Sequence, residues 1–180
     1  MEADWEIEIG GDAPVIDADW PGFVDLRISP ERVNKIAETH LQPGLAEALT
    51  RLNAADSSVW TCKTDVFAPE RADPDELDAR PDAATHAVAC YLDLLMRSDQ
   101  AWNLPSEAEH ACKQLCARLR AIQLQRCRVD FVVRRAVVAG VNELGATVYL
   151  TACGRTLMDA KSRLGECLSA FSEVVVDQMQ

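Results

Sequence analysis

Positive charge is scarce in this sequence of 180 residues. It holds 18 lysines and arginines against 29 aspartates and glutamates, which gives a formal net charge of −11. Phosphate binding requires positive potential, so we expect no general affinity for nucleic acid. The sequence also lacks an apolar run of about 18 residues and a basic, apolar leader. We therefore expect a cytoplasmic protein that does not enter the membrane.

Metal ligands and catalytic motifs are also few. Only three histidines occur, and His110 lies close to two cysteines, Cys112 and Cys116. On a helix, however, positions 110 and 112 point roughly 200° apart, and no CxxC pair is present. The sequence has no GxSxG, no GxxxxGK and no complete GxGxxG motif. We expect no metal and no nucleotide cofactor, and we assign no catalytic residue.

The seven cysteines do not indicate a disulfide framework. Their number is odd, and thiols stay reduced in the cytoplasm. Several of them, including Cys62, Cys90, Cys127 and Cys167, lie on apolar faces of predicted elements. We expect them to act there as small hydrophobic residues.

Alternating and helical patterns follow one another along the chain. Strands are predicted around residues 5–9, 59–66, 86–96, 125–140 and 146–154. A helix is the alternative over 86–96, where alanine and leucine are frequent but the alternation favours a strand. Helices are predicted from Ser29 to about Asn53, interrupted at Pro43, then over 106–122 and from Thr156 to about Val175. This order predicts an α+β fold with a mostly antiparallel or mixed sheet and helices packed on one face. The C-terminal half has the βαββα order of a ferredoxin-like unit.

The chain is expected to form a single domain over residues 1–180. Residues 1–67 form an N-terminal half, residues 68–84 a mobile acidic loop with three prolines, and residues 85–180 a C-terminal half. In the second predicted strand, alternation places Trp60, Cys62, Thr64 and Val66 on one face. The segment GVNELG at 140–145 is expected to form the turn between the last two strands.

One predicted strand combines alternation with unusual charge. The segment QRCRVDFVVRRAVVAG, residues 125–140, carries four arginines, and the stretch from Lys113 to Arg135 contains seven basic residues and one acidic residue, a balance of +6. Residues 1–90, by contrast, hold 19 acidic and 7 basic side chains, a balance of −12. The alternation directs four side chains of the strand to the core: Cys127, Val129, Phe131 and Val133.

Two interpretations of these arginines remain open. In the first, Arg126, Arg128 and Arg134 share a solvated strand face, and Arg135 marks a bulge or the end of the buried face. In the second, an exposed sheet face or edge binds an extended, partly acidic peptide by strand addition. The candidate peptide-binding residues are then Arg126, Arg128, Arg134, Arg135 and Tyr149. The basic stretch could equally dock on the acidic half, within one chain or across a homo-oligomer.

The segments WEIEIGG, WPGFVDLR, the acidic linker and CRVDFVVRRAVVAG together resemble crocagin-type non-catalytic peptide-binding proteins of ribosomal-peptide biosynthesis. The resemblance implies an accessory protein that binds the leader of a precursor peptide and presents it to modifying enzymes. It assigns no binding residue. Two other classes stay open on the residues alone: a hydrolase-like enzyme with an unrecognised site, and a structural or assembly subunit.

Overall fold

The structure, a computed structural model, describes residues 1–18, 20–69, 73–97 and 101–178. Strands lie at β1 Glu2–Glu8, β2 Ile16–Asp17, β3 Val59–Phe67, β4 His86–Met96, β5 Cys127–Val138 and β6 Val141–Gly154. The α-helices are α1 Glu38–Leu41, α2 Leu45–Leu52, α3 Pro105–Arg120 and α4 Leu157–Gln178. Short 3-10 helices lie at Pro30–Lys35, Asp75–Leu77 and Pro81–Ala83.

All the strands belong to one mixed sheet. The strand order is β1-β5-β6-β4-β3, and β2 pairs with β5 beyond the end of β1. The pairs β5–β6, β6–β4 and β4–β3 are antiparallel, whereas β1 and β2 run parallel to β5. Strands from 1–67 therefore pair with strands from 85–180, and β1 and β3 form the two edges of the sheet.

The helices pack on one face of this sheet. Helices α3 and α4 contact β1, β4, β5 and β6, and α2 packs against α4. Phe131 of β5 meets Phe171 of α4 with ring centroids 6.0 Å apart, and both side chains are fully buried. This arrangement confirms the predicted α+β fold. The order βαββα from β4 to α4 is also as predicted, while the likeness to a ferredoxin unit stays a prediction. No helix in the described ranges is long and apolar enough to cross a membrane.

The segment after β1 covers one end of the opposite face. Ile16, Ala18 and Phe23 pack there, and the Arg27 guanidinium lies 3.6 Å from the centroid of the Trp60 ring. We call residues 16–18 and 20–28 the arm. With the sheet it encloses a second, smaller apolar cluster, whose buried members are Ile16, Ala18, Trp60, Cys62, Leu95 and Ala136.

The turn between β5 and β6 is shorter than the sequence predicts. Val138 pairs with Val141, so Ala139 and Gly140 alone make the connection, with φ of +49° and +78°. Two-residue turns with positive φ match the twist of the flanking strands. Residues 141–145 of GVNELG therefore belong to β6, and the predicted six-residue turn is wrong.

A β-bulge in β3 divides the face predicted for that strand. Thr61 pairs with Leu94 and Lys63 pairs with Asp93, which leaves Cys62 as the extra residue. An extra residue shifts the alternation by one position. Trp60 and Cys62 consequently pack on the arm side, and Val66 packs against the helix-side core.

The acidic loop of residues 68–84 contains structure that its composition does not suggest. Leu77, within a 3-10 turn, is 2% exposed. One large apolar side chain is enough to anchor this part of the loop. Residues 70–72 lie outside the described residues.

The first predicted helix is likewise divided. A 3-10 helix covers Pro30–Lys35, the backbone becomes extended at Ile36, and α1 follows with only four residues.

Candidate functional site

The sheet face turned away from α3 and α4 is only partly covered, by the arm. Residues that pair across neighbouring strands point to the same side of a sheet, so the register identifies the side chains of this face. We call it the open face. Outside the end that the arm covers, its members are Glu2, Asp4, Glu6, Glu8, Arg128, Asp130, Val132, Arg134, Thr147, Tyr149, Thr151, Ala89, Tyr91, Asp93, Lys63, Asp65 and Phe67.

Arg128 on this face is held by its own strand. Its Nε donates to both carboxylate oxygens of Asp130, each at 2.8 Å. The hydrogen bond to Asp130 raises the pKa of the Arg128 guanidinium above its usual value. Both residues line a groove of 460 Å³ together with Tyr149 and Arg134.

Arg134 belongs to a hydrogen-bonded chain that crosses four strands. Its guanidinium contacts the Glu8 carboxylate at 3.0 Å and the Thr147 hydroxyl at 3.4 Å, and Thr147 donates to Asp93 at 2.6 Å. Burial raises the pKa of Asp93, while the hydrogen bond from Thr147 opposes that rise. The Arg134 side chain is only 15% exposed, so we interpret this arginine chiefly as a structural cross-link.

Arg126 and Arg135 do not lie on the open face with Arg128 and Arg134. Arg126 precedes β5 in the left-handed conformation, φ +64°, and pairs with Asp159 of α4 at 3.2 Å. Arg135 is exposed and donates to the carbonyl oxygens of Gly10 and Gly11. Of the five predicted peptide-binding residues, the structure therefore brings together Arg128, Arg134 and Tyr149.

The charge of the open face is negative in spite of its arginines. Four acidic residues of β1 alternate with core residues, so all of them point to this face. Outside the end that the arm covers, seven carboxylates and three cations give a formal balance of −4. Because Arg128 and Arg134 are already paired, the open face provides little free positive charge for an acidic peptide.

The β3 edge has backbone groups that point away from the sheet. The Thr61 N–H donates to Asn53 at 3.0 Å, and the Val66 N–H donates to the Asp65 carboxylate at 2.7 Å. The partners of Thr61 and Val66 on β4 are Leu94 and Cys90, and Thr64 pairs with the intervening Leu92. Because the partners on β4 are alternate residues, the backbone of Thr64 has the same orientation as those of Thr61 and Val66. The N–H and C=O of Thr64 therefore also point outward.

The outward groups of Thr61 and Thr64 face an apolar cleft. It has a volume of 410 Å³ and is formed between β3, the arm and the segment around α1. Trp20 is fixed at its mouth because its indole N–H donates to the Cys62 carbonyl oxygen at 3.1 Å. Lys35, Lys63, Glu38 and Asp65 contribute charge to the lining. The apolar lining consists of Trp20, Phe23, Val24, Leu26, Ile36 and Leu49.

A tyrosine pair joins the cleft to the groove. Tyr91 lines the cleft, Tyr149 lines the groove, and their ring centroids are 6.1 Å apart. Burial raises the pKa of the Tyr91 hydroxyl, so this phenol is neutral at physiological pH. The candidate site is therefore one surface that runs from the β3 edge across the tyrosines towards β1.

Comparisons with protein-family models, with curated proteins and with solved structures gave no match to this chain. A function for it has to be argued from the chemistry of this surface.

The residues of the cleft were missed by the reading of the sequence. Trp20 and Phe23 lie in a segment with no period, and Lys63 and Asp65 follow a bulge that reverses the expected alternation. The one available signal was the tryptophan of the Trp20-Pro21-Gly22 turn, because a large aromatic side chain in a turn must pack on another element.

Reactive cysteine and metal chemistry find little support in the geometry. Burial raises the pKa of the Cys62, Cys90 and Cys112 thiols to about 12. Thiolate is the nucleophilic form of cysteine, so these side chains are inert at neutral pH. Within the described ranges, no group of three or more histidine, cysteine, aspartate or glutamate side chains could hold a metal ion.

Proposed function

We propose that this protein binds an extended peptide segment without altering it chemically. The segment adds to the outer edge of β3 and places side chains in the apolar cleft. The observation that carries the proposal is the outward-facing backbone of Thr64 at an apolar cleft. Strand addition requires these two features, since main-chain hydrogen bonds hold the ligand and pockets select its side chains.

The available hydrogen bonds set the expected strength. Asn53, Trp20 and Asp65 already occupy backbone groups of Thr61, Cys62 and Val66. What remains is chiefly the N–H and C=O of Thr64. Each hydrogen bond contributes only about 0.5–1.5 kcal/mol net. Most of the affinity must therefore come from apolar side chains of the ligand that enter the cleft.

The resemblance to crocagin-type proteins suggests a source for the segment, the leader of a ribosomally made precursor peptide. In that role the protein presents the peptide to modifying enzymes. An edge site suits presentation, because an added strand is bound along one side while its flanking residues stay accessible.

A proline substitution tests the proposal. Thr64→Pro removes the outward N–H, and proline is tolerated on an edge strand where the N–H faces away from the sheet. Thr64→Val is the matched control, because it keeps the N–H and a β-branched shape. Peptides that bind the wild-type protein would be selected from a phage-displayed library of random linear peptides. Calorimetry would then measure the affinity of the enriched synthetic peptide for all three proteins.

We expect the enriched peptide to bind the Thr64→Val variant like wild type and the Thr64→Pro variant about fivefold or more weakly. Circular dichroism checks that both variants are folded. Mass spectrometry after incubation should find the peptide unchanged. Failure to enrich any peptide, or equal affinity for all three proteins, would refute binding at this edge. A cleaved or modified peptide would point to an enzyme.

A further inference from the structure

The outer edge of β3 carries a charge pattern that a bound strand would meet directly. Lys63, Asp65 and Phe67 alternate along the open face, and all are exposed. Their side chains are spaced roughly 7 Å apart, because alternate residues of a strand share one face. A strand paired with β3 would place one of its own side chains opposite each of them. Opposite charges in such cross-strand pairs stabilise the pairing, and like charges destabilise it.

We infer that the ligand of this edge is a segment with an acidic residue opposite Lys63, a basic residue opposite Asp65 and an apolar residue opposite Phe67. The inference rests on the proposed function, since it specifies the ligand of the same edge. The two intervening residues of the segment point to the helix side, where Ile36 and Leu49 belong to the apolar lining of the cleft. They are therefore apolar. The recognised segment has five residues, with charges of opposite sign two positions apart.

Asp65 links the charge pattern to the main chain. In the free protein its carboxylate accepts the outward N–H of Val66 at 2.7 Å, which blocks that donor. A lysine or arginine opposite Asp65 offers the carboxylate a charge-assisted hydrogen bond, which is stronger than a bond to a neutral amide. When Asp65 turns to this cation, the Val66 N–H becomes available to a carbonyl group of the ligand. A basic residue at that position thus opens the edge as well as pairing with it.

The tyrosine pair favours the same residue. Tyr91 is the cross-strand neighbour of Asp65, and Tyr149 is the neighbour of Tyr91. A long cationic side chain that reaches past Asp65 lies over these rings, where the π faces attract it. Lys63 already interacts with the Tyr91 hydroxyl, and an acidic residue opposite Lys63 draws this competing cation away from the tyrosines.

Peptides of identical composition and net charge test this pattern. A strand can add to an edge in either direction, so two probes are needed, with core sequences Glu-Leu-Lys-Val-Phe and Phe-Val-Lys-Leu-Glu. Each has a partner in which only glutamate and lysine are exchanged. All carry the same soluble flanking residues. Calorimetry compares each peptide with its partner on the wild-type protein, on the double variant Lys63→Glu with Asp65→Lys, and on Thr64→Pro.

We expect at least one probe to bind wild-type protein about tenfold more tightly than its charge-exchanged partner. The double variant should reverse that preference, which a merely structural effect of the substitutions would not do. Equal affinity of both partners for wild-type protein, with loss of binding on Thr64→Pro, would overturn the charge pattern and leave the proposed function intact. Binding that Thr64→Pro does not weaken would overturn both.

Discussion

The backbone N–H of Val66 and the carboxylate of Asp65 form a 2.7 Å hydrogen bond on the outer edge of β3. The other edge strand repeats the arrangement, because the N–H of Trp5 donates to the Asp4 carboxylate at 2.8 Å. Unpaired edge groups are templates for pairing with other chains, and charged side chains are a common protection against it. On each edge of this sheet, an aspartate thus accepts the outward N–H of the residue that follows it and keeps that N–H from pairing with another chain.

Removal of the Asp65 carboxylate from the β3 edge should promote self-association. In Asp65→Ala the Val66 N–H is free and a negative charge at the edge is lost, so two copies can pair along β3. We expect a sedimentation coefficient that increases with protein concentration, measured by analytical ultracentrifugation. Asp56→Ala, at an exposed turn position, is the control for the loss of one charge. If both variants sediment like wild type at all concentrations, Asp65 does not prevent self-association along β3.

The Asp93 carboxyl should make stability depend on pH in an unusual direction. Its pKa in the folded protein is raised by burial, whereas the unfolded chain titrates near about 3.9. A raised folded pKa gives a stabilising contribution that is complete below the unfolded pKa and is lost as pH rises through the folded pKa. Asp93→Asn stays neutral and can still accept the hydrogen bond from Thr147.

Thermal unfolding between about pH 3.5 and pH 7 measures this effect. We expect the melting temperature of Asp93→Asn, relative to wild type, to increase as the pH rises above the unfolded pKa. Below that pKa the two proteins should differ least. A difference that stays constant over the whole range would contradict the raised pKa of Asp93.

Arg134 and Arg128 should differ in their importance for stability, although the sequence groups them on one face. Arg134→Met leaves the Thr147–Asp93 pair and Glu8 without their cation, and should lower the free energy of unfolding by about 1–3 kcal/mol. Arg128→Met removes a more exposed local pair with Asp130 and should cost less than about 1 kcal/mol. Urea unfolding of both variants measures the difference. Equal decreases in the free energy of unfolding would show that the hydrogen bonds across four strands add no more stability than the local Arg128–Asp130 pair.

The candidate site could be predicted only in part. Arg128, Arg134 and Tyr149 share the groove on the open face, as expected for residues that alternate on paired strands. Arg126 and Arg135 lie elsewhere, since Arg126 precedes the strand and Arg135 follows the four core residues. The arginines raised the expectation of an acidic peptide, which stays a prediction. The alternating charges of Lys63 and Asp65 on the β3 edge, which the bulge brings to one face, make a ligand of mixed charge the better proposal.

The sequence by itself determined the elements and their buried sides. Cys127, Val129, Phe131 and Val133 are at most 1% exposed, as the alternation requires. The Thr156 hydroxyl accepts the N–H of Asp159 at the start of α4, where the sequence predicts that this helix begins. These features depend on contacts between near neighbours in the chain, for which periods of 2 and 3.6 residues are direct signals.

Only the tertiary structure decided what covers the open face and which charges on it are free. Glu8 and Arg134 are 126 positions apart, and the bulge that turns Lys63 and Asp65 to the open face is visible only in the register with β4. Strand pairing is a choice among many partners of similar local pattern, and it is made by the packing of the whole chain. The cleft at Thr64 follows from that choice, because it needs β3 at an edge and the arm folded beside it.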